Sequence, residues 1–465
     1  MPTGTNRNSI SSFFSLVRHA LRGDELDYTT GSIRRAVFLL AIPMILEMMM
    51  ESVFAIVDIY FVGRLGKEAV ATVVLTEAVI TLLYSAAIAF SIGATAMVAR
   101  RVGEKNYEEA ARTGAQAINL GIMVAAVISL AGMLLAKHIL LMMDASEEVL
   151  AIGVPYTRTV FGSSIVILLL FLINGVFRGA GNASIAMQSL WFANICNIIL
   201  CPIMIRYYGL TGAAMATATG RGLGVCFQLF FLFRGNRVLK IALHHFRIHW
   251  KTISGLFRIS WVGFLQFAIA SSSWIFLTRI MTSFHNDAAV AGYGVALRIV
   301  MFFLLPAWGM SNAAATLVGQ NLGAQQPGRA EDSVRKAATY NAIFMGTVMV
   351  VFLILARVIV RFMNKDAAVE QYAVEGLRII SLGYIFYGIG MVLVSSFNGA
   401  GDTVTPTIIN LFGFWMFQIP LAYILAKVLE LGPTGVFIAI PAAETAITVT
   451  AFFVFRKGKW KLKKV

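Results

Sequence analysis

Residues 36–62 read AVFLLAIPMILEMMMESVFAIVDIYFV, an apolar run long enough to cross a bilayer that still carries Glu47, Glu51 and Asp58. At roughly 100° per residue, the three carboxylates fall within about 40° of arc on one helical stripe. An ionised carboxylate at the centre of a membrane helix costs about 2.5–3.5 kcal/mol on the insertion scale. Three of them facing lipid would cancel most of what the apolar residues gain. The stripe is therefore expected to face protein or water, where intramembrane carboxylates bind or move cations.

The rest of the chain has the same character. Its 465 residues are 58% hydrophobic and 13% charged, with a mean hydropathy of +0.78. That exceeds the norm for soluble domains and predicts an all-α integral membrane protein. About twelve apolar stretches are long enough to span: 36–62, 70–98, 113–136, 151–177, 184–205, 211–233, 257–281, 289–313, 337–356, 376–396, 404–426 and 434–455. The short alternating segments of a membrane β-barrel are absent.

A net charge of +15 could suggest a nucleic-acid partner, but the distribution argues against one. With the N-terminus inside, Lys and Arg divide about 25 to about 8 between the two sides, which predicts cytoplasmic N and C termini. Attraction to anionic lipid headgroups follows as a secondary effect. Ile10 to Leu21 is expected either to lie on the cytoplasmic membrane surface or to be a disordered tail. Cys196, Cys201 and Cys226 all fall in spans, so no disulfide framework is expected. His244, His245 and His249 lack metal-ligand spacing, and no metal site is expected there.

Two halves of the chain match at a shift of about 220 residues. KEAVATVV (67–74) pairs with DAAVAGYG (287–294), and VARRVGEKNYEEA (98–110) with VGQNLGAQQPGRA (318–330). FRGAGNA (177–183) pairs with FNGAGDT (397–403), and GLTGAA (209–214) with GPTGVF (432–437). Six helices per half is an even number, so the repeats enter the membrane in the same orientation, related by a pseudo-two-fold axis along its normal. The predicted organisation is a cytoplasmic tail (1–35), a six-helix lobe (36–233), a cytoplasmic connector (234–256), a second six-helix lobe (257–455) and a basic cytoplasmic tail (456–465).

With these segments in hand, the chain resembles the multidrug and toxic compound extrusion (MATE) family of secondary transporters. The resemblance rests on LAIPMILEMMMESVFAIVDIYFVGRLG (40–66), VGQNLGA (318–324), the two F-x-GAG turns and GAAMAT (212–217), and runs from about residue 28 to the C-terminus. It implies twelve helices in two bundles, and export of organic cations coupled to inward proton or sodium flow. Asp58 occupies the aspartate of the family's VD motif, which implies a cation-coupling role. Asn197 matches the asparagine of the fifth-helix motif N-x-x-L-D-P of the DinF-like branch, to which the chain is nearer than to the NorM-like branch. Cys201 replaces that motif's aspartate, and Thr217 matches the sixth-helix threonine. Losing an oxygen ligand at Cys201 makes sodium at Asp58 and Asn197 harder to satisfy and favours proton coupling. The acids that the NorM-like branch uses in helices seven and ten have no equivalent; helix seven offers Gln266 and Ser271 to Ser273.

Glu47, Glu51, Met50, Phe54, Gln266 and Trp274 are the expected substrate-binding residues, since polarisable and aromatic side chains suit a promiscuous cation cavity. Alternatively, Glu47 and Glu51 pair with intramembrane arginines such as Arg158 or Arg298, and Asp58 with Arg64. Glu77 and Glu444 are further intramembrane acids without an assigned role. No catalytic or nucleotide-binding motif is present, so no enzyme activity, no ATP and no cofactor beyond H+ or Na+ are expected. The expectation is a monomeric multidrug antiporter of a bacterial cytoplasmic (inner) membrane, exporting amphiphilic organic cations. The rivals are a lipid-linked oligosaccharide flippase, which would need a cationic cavity, an intramembrane enzyme, and a channel, which would show uncoupled conductance.

Overall fold

The computed structural model describes residues 7–23, 27–236 and 238–463. The extremes of both expected tails (1–6 and 464–465), residues 24–26 and connector residue Arg237 lie outside the described residues. All regular structure among the described residues is helical. In hydrocarbon each backbone N–H and C=O must be satisfied within its own segment, so long apolar runs have no alternative to the helix.

A short helix, α1 (Arg7–Arg22), precedes α2 (Ile33–Gly63), α3 (Lys67–Gly103), α4 (Tyr107–Met142), α5 (Glu147–Gly162), α6 (Ser164–Gly179) and α7 (Ala183–Arg234). The second half holds α8 (Trp250–Thr282), α9 (Asp287–Gly323), α10 (Pro327–Met363), α11 (Ala367–Ser381), α12 (Tyr384–Gly399), α13 (Val404–Asn410), α14 (Ile419–Tyr423) and α15 (Pro433–Arg456). π-Helical turns at Leu411–Gln418 and Ile424–Val428 extend α13 and α14 into one span.

Among the described residues, ten helices are long and apolar enough to cross a membrane, and the pair α11–α12, bent by 56°, supplies an eleventh. The 52-residue α7 is two spans joined at Gly209, whose φ of 56° and ψ of −139° break the helix. That makes the twelve expected. The helices run several residues beyond the apolar stretches because their ends are polar and capped: Asn106, Ser146, Asn182, Asn286 and Asp366 each accept a first-turn N–H.

The duplication holds at the level of the backbone. Left-handed residues recur at Lys105 and Gln325, at Gly181 and Gly401, and at Gly209 and Gly432, each pair inside a matching sequence segment. Asn106 and Gln326 then start α4 and α10 at equivalent points.

Packing between the bundles is uneven along the membrane normal. At the end carrying the basic loops, the cores mix: Val37, Leu40 and Met44 of α2 pack with Met310, Leu317 and Phe397 of the second half. Ile253 and Leu256 of α8 pack into the core of α3, α4 and α6. At the opposite end each cluster draws on one half, with Leu277, Tyr293 and Phe352 in one and Val62, Val73 and Cys201 in the other. The molecule is sealed at the basic-loop end. Terminal segments reinforce the seal. The Arg329 guanidinium donates to the carbonyls of Tyr28, Thr30 and Gly31, while the Tyr28 hydroxyl donates to Gly181 O at 3.2 Å. The Leu21 carbonyl at the end of α1 accepts from Ser184 and Gln188, which docks this helix on α7.

Backbone contact at the seal is close enough to test. A Cβ on Gly103 would sit 2.0 Å from the Gln320 carbonyl oxygen of the other bundle. Gly103→Ala should therefore deplete the sealed state. Electron–electron distances between spin labels at Tyr107 and Gly328, on a background without Cys196, Cys201 and Cys226, should lengthen relative to wild type. An unchanged distance distribution would mean that this contact does not hold the seal.

Candidate functional site

Above the seal lies a cavity of about 510 Å³ between the bundles. Of the residues expected to bind substrate, Glu51, Gln266 and Trp274 line it, together with Met48, Tyr84, Trp308, Tyr387, Phe414 and Glu444. Glu47, Met50 and Phe54 do not line it. Met48 lines the cavity where Met50 was expected, and Phe54 turns to a guanidinium inside the first bundle. A two-residue step on a helix rotates the side chain by about 200°, so Met48 and Met50 face opposite ways.

Glu47 sits behind the cavity wall, 1% exposed, paired with Arg178 at 2.5 Å (Nη2–Oε1) and 3.2 Å (Nε–Oε2). Asn174 donates to the same Oε1 at 2.7 Å, and its own Oδ1 accepts from Gln228 at 2.6 Å and Ser189 at 3.2 Å. Every member of this network is buried. Glu51 Oε2 lies 3.5 Å from Arg221 Nη2, and the Arg221 guanidinium sits 5.1 Å from the Phe54 ring centroid, 5.6 Å from Tyr84 and 5.7 Å from Phe171. The pairing expected with Arg158 or Arg298 is thus replaced by Arg178 and Arg221. The acidic stripe does face protein: Glu47 meets Arg178 away from the cavity, whereas Glu51 meets both Arg221 and the cavity.

Asp58 differs from its neighbours on the stripe. Its Oδ1 is buried and has no hydrogen-bond partner. Arg64, the alternative partner, instead stacks on Tyr60 with its guanidinium 4.4 Å from the ring centroid and donates to the Tyr60 hydroxyl. Arg221, Glu77 and the Cys201 thiol lie within electrostatic reach of Asp58. Asn197 donates to Thr217 Oγ1 at 3.0 Å, and Cys201 stands one helical turn from Asn197. The four residues that the family motifs single out are thus brought to one region of the first bundle, outside the cavity lining. Two oxygens there lack partners, Asp58 Oδ1 and Asn197 Oδ1. They fit a small cation or a proton as cargo; the thiol of Cys201 adds no hard oxygen ligand.

The connector brings together side chains that sequence spacing kept apart. His244 Nε2 and His245 Nε2 lie 3.4 and 2.8 Å from Glu108 Oε1, a grouping that could hold a metal, contrary to the expectation from spacing. His245 Nδ1, however, accepts the Ala242 N–H at 2.9 Å, so the proton of the neutral ring is on Nε2, donated to Glu108. That nitrogen has no lone pair left for a metal. The His245 hydrogen bond, with that of His244, holds the Glu108 carboxyl below the usual carboxylate range.

Arg178, Arg221, Asn174 and Gln228 were not identified from the sequence. Arg178 had a signal, because it is the variable residue of the first F-x-GAG turn and its counterpart Asn398 also lines the cavity.

Known proteins supply the family. A family model described as MatE matches residues 43–203 and again 264–424, one copy per half. The chain is 23% identical over 444 residues to "Probable multidrug resistance protein YoeA" of Bacillus subtilis, covering 93% of this chain and 96% of that one. It is 22% identical over 458 residues to "Probable multidrug resistance protein NorM" of Thermotoga maritima, covering 97% of each. Among solved structures, a MATE protein in complex with MaL6 superposes with a TM-score of 0.90 at 22% identity, over 95% of this chain and 100% of that one. A MOP-superfamily transporter from Pyrococcus furiosus, for which reverse polarity of the binding pocket is said to suggest a different function, gives 0.89 at 23% identity, over 95% and 99%. With both halves matched and the expected fold in place, this chain belongs to the MatE family.

Proposed function

We propose that this protein is a secondary-active efflux antiporter that exports amphiphilic organic cations in exchange for H+ or Na+. One observation carries the reading: the interbundle cavity is aromatic and polar, and the one arginine that lines it among the described residues, Arg178, is already neutralised by Glu47. A pyrophosphate-bearing lipid would need unpaired cationic groups, so the cavity charge favours a multidrug exporter over a flippase. The names of the relatives from Bacillus subtilis and Thermotoga maritima point the same way. In the orientation expected from loop charge, with both termini cytoplasmic in an inner membrane, the seal lies on the cytoplasmic side and the cavity faces outward. The two lobes move against each other around that cavity, and Asp58, with Asn197, Cys201 and Thr217 beside it, is the coupling site.

Proteoliposomes loaded with ethidium, with a proton and a sodium gradient imposed in separate experiments, test the proposal. Gradient-driven ethidium movement should appear with one ion and vanish when that gradient is collapsed. Movement that ignores both gradients would point to a channel, and the antiport reading would fall.

A further inference from the structure

The two bundles carry opposite charges at equivalent positions. Gly209 (φ 56°, ψ −139°) and Gly432 (φ 59°, ψ −142°) share one conformation and open the matching segments GLTGAA and GPTGVF. Arg221 stands twelve residues after the first glycine, and Glu444 twelve residues after the second. Both are buried, at 2% and 4% exposed.

In the first bundle, Arg221 is a built-in cation. It sits 3.5 Å from Glu51, within reach of Asp58, and inside a cage of Phe54, Tyr84 and Phe171. In the second bundle the equivalent position is an acid with no built-in cation. Glu444 Oε1 is buried without a hydrogen-bond partner. Among the described residues, three formally charged side chains line the cavity: Glu51, Arg178 and Glu444. The first two have ion-pair partners in Arg221 and Glu47; among the described residues Glu444 has none. Tyr387, near enough to feel its charge, and Phe414 line the cavity with it.

An uncompensated carboxyl group in a low-dielectric wall either holds a proton or takes a positive charge from outside, and an arriving organic cation can displace that proton. Aromatic faces in the same cavity favour a large, weakly hydrated cation over a small hard one, which would demand a shell of oxygens. We propose that Glu444 is the counter-charge for the substrate, and that the ligand it takes is a lipophilic monovalent organic cation seated as Arg221 is seated in the first bundle. This rests on the reading of the protein as an organic-cation exporter, and it places substrate recognition in the second bundle, away from ion coupling at Asp58.

Tetraphenylphosphonium and triphenylphosphine oxide share an apolar body and differ in charge. Calorimetric titration of the full-length protein in nanodiscs should show the wild type preferring the phosphonium. Glu444→Gln should weaken phosphonium binding by about tenfold or more and leave oxide binding within about twofold, while Glu444→Asp keeps the preference. Equal phosphonium affinity in wild type and Glu444→Gln overturns the assignment and leaves the exporter reading intact. A wild type that does not prefer the phosphonium overturns both. The wild type alone gives a second measurement, in case the variant does not fold. Labelling by dicyclohexylcarbodiimide, located by mass spectrometry, should be blocked at Glu444 by tetraphenylphosphonium. Failure of the phosphonium to protect Glu444, or protection by sodium chloride at the same concentration, overturns the assignment.

Discussion

Asp58→Asn should bind drug and fold as the wild type does, yet show no ethidium accumulation above a gradient-free control. The substitution keeps size and hydrogen-bonding capacity and removes the charge. It therefore removes the ability to exchange a proton, and weakens the hold on a sodium ion, at an oxygen, Oδ1, that none of the described residues satisfies. Asp58 is outside the cavity lining, so the loss should appear in driven transport and not in phosphonium affinity. That separation matters, because a general folding defect would lower both. Undiminished gradient-driven transport by Asp58→Asn would eliminate this residue as the coupling site and leave Glu77, which is near Asp58, as the next acid to test.

Arg178→Ala should destabilise the folded protein by about 3–5 kcal/mol, well beyond the effect of an ordinary point substitution. The reason is the orphan it creates. Glu47 would keep Asn174 as donor at 2.7 Å but lose both guanidinium contacts in a site that is 1% exposed. Thermal unfolding in detergent, followed by tryptophan fluorescence, should show a large drop in midpoint. Pairing the change with Glu47→Gln should recover much of it, since a neutral amide can remain within the Asn174–Ser189–Gln228 network. A loss below about 1 kcal/mol for Arg178→Ala would place the pair in the class of solvated surface bridges, at odds with its burial.

These two outcomes bear on how the acidic stripe works. Glu47, Glu51 and Asp58 have one periodicity and one helix, but three environments. Glu47 is locked to Arg178, Glu51 meets both Arg221 and the cavity, and Asp58 has an unmatched oxygen. A stripe that looks uniform in sequence is thus graded along the membrane normal. The grading comes from residues on α6 and α7, far from α2 in the chain.

Much of the fold is legible in the chain itself. The apolar runs mark the spans because hydrocarbon forces each backbone to close its hydrogen bonds locally, and hydropathy is a local property. The repeat is readable because its turns need particular residues, and the left-handed positions at Gly181 and Gly401 are where the two F-x-GAG segments agree. The break at Gly209 is likewise marked by its match to Gly432. Less is legible in the site. Gln266 and Trp274 reach the cavity, whereas Met50 and Phe54 miss it, because which face of α2 meets the second bundle depends on packing against α7 and α9 and not on α2 itself.

Sequence alone thus determined the membrane class, the number of spans, the duplication and the acids worth watching, since each follows from patterns within a few turns of helix. Tertiary structure decided which acids are neutralised. Glu47 and Arg178 are 131 residues apart in the chain, and no local pattern carries the rotation of two helices that puts them in contact. Packing likewise decided that Glu444, at the position where the first bundle holds Arg221, has no paired cation among the described residues. The Coulomb energy of a buried charge depends on what surrounds it in space, and that is fixed only when the helices pack.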